Sequence, residues 1–195
     1  MKKFELTSET KINIFGKKLF RIKALISFGD VEAGETGGWV EKEENVNQSG
    51  DAWVSGNAEV SGNARVSGNA EVSGNAMVSG NAWVSGNAWV SGNARVSGNA
   101  MVSGNAMVSG NAEVSGNAEV SGNADYTTIR GFGTQFRTTT FFRCKDKQVK
   151  VSCGCFYGTI PEFREQVKNT RKGKIAEEYL MIADLMEKHF AEEAK

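Results

Sequence analysis

Few residues of this chain have side chains that could carry out catalysis. The sequence contains one histidine, His189, next to Phe190 near the end of the last predicted helix. A general base must come within hydrogen-bond reach of the proton that it removes, and His189 is poorly placed for this. We expect it instead to place a favourable charge near the C-terminus of that helix. The sequence therefore predicts no catalytic residue.

The three cysteines, Cys144, Cys153 and Cys155, could suggest a metal site, but their spacing argues against one. Zinc sites usually have four ligands, and their paired cysteines are separated by at least two residues. Here one residue separates Cys153 from Cys155, Cys144 is expected to lie away from Cys153 in a hairpin, and a fourth ligand is missing. We predict buried structural thiols, no metal and no cofactor.

The charge balance and the cysteine count restrict the class of the protein and its compartment. The 195 residues include 23 basic and 23 acidic side chains, and this balance argues against a dedicated nucleic-acid-binding protein. No apolar run reaches the roughly 18 to 20 residues of a membrane span. The first residues lack the apolar segment of a signal peptide, and an odd number of cysteines suits a reducing compartment. We therefore expect a cytoplasmic protein that binds neither nucleic acids nor membranes.

A six-residue repeat dominates the chain and predicts how its side chains are arranged. The sequence Ser-Gly-Asn-Ala-X-Val occurs eleven times without interruption in residues 55–120, and only X varies. Ala and Val are two residues apart, so on a strand they point to one side while X points to the other. We expect Ala and Val in the core and X on the surface. Because Gly and Asn accept positive φ angles, Ser-Gly-Asn is expected to form a sharp corner.

The repeat length predicts the cross-section of the fold and the neighbours of each variable residue. Three hexads, one for each side, would close a triangular coil, and stacked coils would form a parallel β-solenoid with ladders of asparagines. Every third hexad then stacks on the same face, so the variable residues form three columns. They are Trp53, Glu71, Trp89, Met107 and Asp125; Glu59, Met77, Arg95 and Glu113; and Arg65, Trp83, Met101 and Glu119. Within the third column, the Arg65 side chain can lie on the Trp83 ring, an arrangement that allows stacking and cation–π attraction.

The segments outside the repeats predict a cap at each end. Residues 1–50 alternate apolar and polar side chains around a hairpin turn, so we expect a β-rich N-terminal cap. Residues 51–126 form the predicted solenoid. Residues 127–195 contain a predicted hairpin that turns at 145–147 and two helices, the first of which follows a capping box at Thr159. The predicted fold class is mainly β, a triangular parallel β-solenoid with an N-terminal β cap and a small ββαα C-terminal cap.

Six of the variable residues are large and apolar, although they are expected to point outward. They are Trp53, Met77, Trp83, Trp89, Met101 and Met107. Exposed apolar patches often mark interfaces, so these residues form the predicted interaction surface, with a second copy of the chain as the partner. Two alternatives stay open. The residues could serve β propensity and packing between coils, or the tryptophan columns could bind carbohydrate.

The hexad resembles the hexapeptide repeat of left-handed parallel β-helix proteins, which place an aliphatic residue first and a small residue four positions later. The segment 28–54 and the motif Cys153-Gly-Cys-Phe-Tyr-Gly are similar to parts of bacterial and phage proteins with Gly-Asn-Ala repeats, some labelled acetyltransferases and others without an assigned activity. The resemblance implies a left-handed solenoid. For the enzymes of that family it implies trimers, an acyl-CoA or acyl-carrier partner, and a solenoid histidine as base.

The departures from that family favour a structural role. No histidine lies in any repeat, and the eleven hexads are identical apart from X. Such regularity indicates recent tandem duplication or, more readily, a consensus-regularised engineered repeat, since consensus repeats are unusually designable. We therefore predict a non-catalytic scaffold that self-associates through its Trp and Met columns. The alternatives are a degenerate acyltransferase acting on a sugar or small amine, with a carboxylate such as Glu71 as base, and a carbohydrate-binding module.

Overall fold

The computed structural model describes residues 1–191, and the chain divides into two compact units, Met1–Asn123 and Ala124–Lys195. The first unit contains every complete hexad and all four tryptophans, so the predicted N-terminal cap and solenoid share one unit. The second unit combines strands with two helices. Within residues 1–191, no helix has the length and apolar character needed to cross a membrane.

The first unit begins with three strands, of which the first two form the predicted hairpin and the third was not predicted. Strands β1 (Phe4–Ile12) and β2 (Lys18–Ala24) form an antiparallel hairpin, and β2 also pairs with β3 (Thr36–Val40). In the turn of the hairpin, Asn13 Oδ1 accepts hydrogen bonds from two backbone N–H groups at 3.0 and 2.9 Å. Because β3 also pairs in parallel with a strand of the repeats, the hairpin extends one sheet of the solenoid.

Twelve two-residue strands follow, and each consists of one variable residue and the next valine. They are β4 (Trp53–Val54), β5 (Glu59–Val60), β6 (Arg65–Val66), β7 (Glu71–Val72), β8 (Met77–Val78), β9 (Trp83–Val84), β10 (Trp89–Val90), β11 (Arg95–Val96), β12 (Met101–Val102), β13 (Met107–Val108), β14 (Glu113–Val114) and β15 (Glu119–Val120). They form three parallel sheets. Every coil contributes one strand to each sheet. The first face contains β4, β7, β10 and β13, the second β5, β8, β11 and β14, and the third β6, β9, β12 and β15. The predicted three-sided parallel β-solenoid is confirmed.

The interior of the solenoid consists of the two apolar residues of the hexad. All the repeat valines from Val54 to Val120 are fully buried, and the alanines are at most 1% exposed. Valines from every third hexad stack in register, for example Val90 between Val72 and Val108. Burial of a valine side chain contributes about 1.5 kcal/mol or more. One coil cannot bury its own valines, so the stability of the solenoid depends on contact between neighbouring coils.

The Ser-Gly-Asn corners use glycine for the backbone and asparagine for contact between coils. The glycines of the eleven hexads have φ angles between +60° and +69°, a range that costs other residues conformational energy. At all three corners, the asparagine Nδ2 donates to the Oδ1 of the equivalent asparagine in the next coil, at 3.0 to 3.3 Å. The predicted asparagine ladders are confirmed.

A two-residue insertion separates the first coil from the regular repeats. Val54 pairs with Val72, which is three hexads later. Val46 pairs with Val66, which is three hexads and two residues later, so the first coil is two residues longer than the regular coils. Gln48 lies in this insertion, and its Oε1 accepts from two backbone N–H groups at the start of the chain, at 2.7 and 3.3 Å. Its Nε2 also donates to a backbone carbonyl there at 3.1 Å. The Gln48 amide thus ties the insertion to the start of the chain.

Lys3 is buried at the beginning of the solenoid, with 2% of its surface exposed. Its Nζ donates to the carbonyl oxygens of Gly50 and Ala52 at 3.1 and 2.8 Å and lies 4.6 Å from the centre of the Phe28 ring. Burial disfavours the charged amine and lowers the pKa of Lys3 to about 8, although the charge of Asp51 acts in the opposite direction.

We expect Lys3 to make the first unit more stable as the pH rises from about 8 towards 10. The unfolded amine has a pKa near 10.4, so in this window the unfolded chain binds more protons than the folded one, and raising the pH favours folding. Urea unfolding followed by tryptophan fluorescence at several pH values, for the wild type and Lys3→Met, measures this. A stability difference between the two proteins that stays constant from pH 7.5 to 9.5 would contradict it.

The second unit contains a four-stranded antiparallel sheet and two helices. Its elements are β16 (Tyr126–Phe132), β17 (Arg137–Arg143), β18 (Val149–Cys153), β19 (Phe156–Thr159), α1 (Ile160–Thr170) and α2 (Gly173–Phe190). The predicted hairpin and both helices are present, and the sheet gains one more strand on each side of the hairpin. The capping box is also present, because the Thr159 N–H donates to the Glu162 carboxylate at 2.7 Å and the Glu162 N–H to the Thr159 hydroxyl at 3.4 Å.

Candidate functional site

The predicted interaction residues occupy three faces of the solenoid, because each hexad turns one corner. Strand pairing reproduces the predicted columns, with Trp89 beside Met107 on the first face and Trp83 beside Met101 on the third. Met77 lies on the second face. Asp125, predicted to end the first column, belongs instead to a short 3₁₀ helix, Asn123–Asp125. Four of the apolar residues therefore form two pairs on different faces, and Met77 stands between Glu59 and Arg95 on the remaining face.

Trp53 is buried, contrary to the prediction that it belongs to an exposed surface. Only 4% of this residue is exposed, because the rings of Phe4 and Phe28 pack edge-on against its indole at centroid distances of 6.2 and 5.4 Å. Its Nε1 is also buried and has no acceptor among residues 1–191. The N-terminal segment thus covers the first face at its first strand, and Trp53 is not part of an interaction surface.

The other two repeat tryptophans are exposed and held in fixed orientations. Trp83 is 47% and Trp89 42% exposed. The Nε1–H of Trp83 donates to Ser67 Oγ at 2.9 Å, and that of Trp89 donates to Ser73 Oγ at 3.0 Å. Each serine lies in the preceding coil, so each indole extends along the stack. With the N–H group engaged, the indole offers the face of its ring to a ligand or partner.

The stacking of Arg65 on Trp83 that the third column allows is absent from the described residues. Their strands pair in register, but no cation–π contact joins the two side chains in the described structure. The bond to Ser67 takes the indole towards the corner, two residues beyond Arg65. The guanidinium group of Arg65 also forms no ion pair within residues 1–191. It is therefore an exposed cation beside an exposed aromatic ring.

A groove lies beside Trp83 on the third face, with a volume of about 410 Å³. Trp83 and Arg65 line it from the solenoid, and the segment 43–48 lines it from the opposite side. That segment contains a short 3₁₀ helix, Glu43–Asn45. The buried Asn45 side chain fixes it to the next coil, because its Nδ2 donates to two backbone carbonyls at 3.2 and 2.8 Å.

The charges around the groove are balanced. The carboxylate of Glu43 is neutralised by Lys2, with 2.8 Å between Oε2 and Nζ, and its Oε1 accepts from Gln48 at 3.0 Å. The exposed Glu44 also lines the groove and carries the charge opposite to that of Arg65. Because the acidic and basic groups compensate each other, the groove does not select strongly for a charged ligand.

Glu71, the carboxylate suggested as a substitute base, lies in a second cavity, of about 350 Å³, on the first face. Asp30 and Asp51 line the same cavity. Burial is the main cause that raises the pKa of Glu71, and the negative charge of Asp30 adds to it. A carboxyl group with a raised pKa can exchange protons with a bound molecule, which is the chemistry that the acyltransferase alternative needs.

The remaining chemically active side chains lie in the second unit. His189 is exposed in the last turn of α2, and its ring centre is 5.0 Å from that of Phe190. Burial raises the pKa of the Cys144 thiol to about 11, as expected for a structural cysteine. Cys155 is exposed in the turn between β18 and β19, so the prediction of a buried thiol is wrong there. Residues 1–191 contain no group of three His, Cys, Asp or Glu side chains arranged to hold a metal ion.

Most of the polar side chains of the groove could not be predicted from the sequence. Glu44 and Asn47 come from the irregular first coil, and nothing in their spacing places them beside Trp83. The repeat did indicate that Arg65 lies beside Trp83, because Arg65 precedes Trp83 by three hexads and is therefore its neighbour in the third column. The groove combines that column with a segment outside the repeat.

The comparison with known families agrees with this fold. A family model described as the YdcK beta-solenoid repeat matches residues 70–86, 88–103, 94–110 and 100–116, and the last three matches begin one hexad apart, as the repeat requires. No curated protein matches the chain. The chain is thus a β-solenoid repeat protein, and its repeats are similar to the YdcK beta-solenoid repeat.

Proposed function

We propose that the chain is a non-catalytic structural scaffold. The observation that supports this most directly is the unbroken stack of buried valines from Val54 to Val120, which makes the solenoid a rigid rod with a repeating surface. The proposal includes the left-handed hexapeptide-repeat architecture, on the strength of the hexad resemblance. It also includes a consensus-regularised origin, supported by eleven hexads that differ only at X.

The distribution of reactive groups supports a role without catalysis. The solenoid carries no histidine, and the one histidine of the chain lies in α2 of the second unit. Glu71 has a raised pKa, but its cavity neighbours Asp30 and Asp51 are also acidic, which disfavours an anionic acyl donor such as acetyl-CoA. Acetyl transfer from acetyl-CoA that is lost in Glu71→Gln would contradict the scaffold role. A cytoplasmic location is part of the proposal, supported by three free cysteines.

The scaffold self-associates, in this proposal, through its first face. Trp89 and Met107 are neighbours in register there, and 42% and 46% of their surfaces are exposed. Two large apolar side chains fixed side by side on a flat sheet favour contact with a matching surface. A second copy of the chain offers the same pair, so two first faces can bury each other around a two-fold axis.

Light scattering tests this contact directly. We expect the wild type to exceed the 21.0 kDa of a single chain and Trp89→Glu to return to that mass, because a carboxylate in an apolar contact would lose its hydration. Trp83→Glu tests the third face in the same way. Met77→Glu adds the same charge to the second face and is expected to leave the assembly intact. A wild type that stays a monomer at high concentration would refute self-association.

A further inference from the structure

We propose that the groove beside Trp83 binds a neutral oligosaccharide. This goes beyond the scaffold role and does not depend on self-association, since it concerns the third face. The groove has a volume of about 410 Å³, which falls in the roughly 300 to 1,000 Å³ range of small-molecule sites. Its walls supply an aromatic plane, hydrogen-bond donors and hydrogen-bond acceptors, which together match the surface of a sugar.

The aromatic plane is the indole of Trp83. Its Nε1–H is already bonded to Ser67 at 2.9 Å, yet 47% of the residue is exposed, so the accessible part is the ring itself. The electron-rich face of an indole attracts the weakly positive C–H groups on one side of a sugar ring and removes their apolar surface from water. Because the hydrogen bond fixes the ring, binding requires little reorganisation of this side chain.

Polar groups converge on the same space from both walls. The guanidinium of Arg65 has five N–H donors and no ion pair within residues 1–191. The Oδ1 of Asn47 accepts from the N–H and the hydroxyl of Ser49, both at 2.9 Å, which leaves its amide N–H groups to donate to a ligand. Glu44 supplies acceptors. Sugar hydroxyls both donate and accept, so they can use all three side chains.

The charge balance distinguishes a neutral sugar from other ligands. Lys2 neutralises Glu43, and Arg65 is offset by Glu44, so the groove has little net charge. An anionic ligand would meet Glu44, and a basic peptide would meet Arg65, each with a repulsive contact. A neutral ligand avoids both and can still satisfy the polar groups.

The groove is also rigid enough to select a shape. Asn45 fixes the 43–48 segment to the next coil through two hydrogen bonds, and Gln48 fixes it to the start of the chain through three. The opposite wall belongs to the stacked strands β6 and β9. A site held on both sides loses little conformational entropy on binding, which favours affinity for a semi-rigid ligand such as an oligosaccharide.

The test is calorimetric titration of the full chain with cellohexaose, maltohexaose and chitohexaose. We expect at least one of them to bind the wild type and Trp83→Ala to weaken that binding at least tenfold. Trp89→Ala is the matched control, since Trp89 has a similar exposure and the same bond to a serine but lies on the first face. It should change affinity less than twofold, because loss of the first-face contact leaves the lining of the groove on the third face unchanged. Arg65→Gln should weaken binding about fivefold, and Arg95→Gln on the second face should not.

Three results would overturn the assignment. The first is no heat of binding with any of the three sugars at millimolar concentration. The second is an equal loss in Trp83→Ala and Trp89→Ala, which would indicate stacking on any exposed indole. The third is tighter binding of hexalysine or of a sulfated oligosaccharide than of all three neutral sugars. Circular dichroism of each variant establishes that it is folded, and Arg65→Gln keeps the test valid if Trp83→Ala is unstable.

Discussion

Val90→Asp is expected to lower the free energy of unfolding of the first unit by about 5 kcal/mol or more. Val90 is fully buried and lies in register between Val72 and Val108. An aspartate there would be surrounded by valines and alanines, without a cation or hydrogen-bond donor to compensate for lost hydration. Because each coil is stabilised by its neighbours, the defect would also weaken the coils on both sides.

The strand itself offers the control for this prediction. Trp89→Asp introduces the same charge one residue earlier, where the side chain points outward, and should cost only about 2 kcal/mol in the monomeric chain, through lost indole contacts and the like charge of Glu71 in the neighbouring strand. Both variants can be followed by urea unfolding with tryptophan fluorescence, because all four tryptophans lie in the first unit. Equal losses of stability in the two variants would mean that the assignment of valines to the core and variable residues to the surface is wrong.

Gly98→Ala is expected to destabilise the first unit by roughly 2 to 4 kcal/mol, through two effects. Gly98 has a φ angle of +69°, which strains any residue with a Cβ atom. A Cβ atom at this position would also lie 2.8 Å from the backbone nitrogen and 3.0 Å from the carbonyl oxygen of Gly116 in the next coil. Both contacts are with backbone, so the coils would have to move apart.

Two further variants separate the backbone strain from the contact between coils. Gly110 has nearly the same φ angle, +68°, but a Cβ atom there would have no neighbour within 4 Å, so Gly110→Ala should cost only about 1 to 2 kcal/mol. Asparagine tolerates positive φ better than alanine, so Gly98→Asn keeps the close contact while reducing the strain. Recovery of wild-type stability in Gly98→Asn would show that the contact between coils is unimportant.

Most of the solenoid could be predicted because one strict period determines it. Once Ala and Val are assigned to the core, every valine has a partner three hexads away, and the pairing of Val90 with both Val72 and Val108 follows. The corners follow as well, because Ser-Gly-Asn contains the residues that accept a positive φ most easily, and the structure gives that φ to the glycine. The insertion before Val54 was visible in the same way, as a break of two residues in the valine spacing.

The candidate site could be predicted only in part, because it depends on contacts between distant segments. The period assigns Trp53 and Trp83 to the same outward position, yet one is buried and the other exposed. The difference lies in Phe4 and Phe28, which reach the first face from outside the repeat. The strand β16 was missed for a different reason, since the glycine at 131 interrupts its alternation and its pairing with β17 shifts register nearby.

The asparagine ladders give the solenoid a direction. Every rung donates from Nδ2 to the Oδ1 of the following coil, so the amide dipoles of each ladder align head to tail. The leading end of each ladder therefore carries acceptors, and at one of them Lys42 Nζ donates to Asn63 Oδ1 at 3.2 Å. The trailing end carries donors. The two ends of the stack therefore differ chemically, because one presents amide oxygens and the other amide N–H groups, although every coil has the same sequence at its corners.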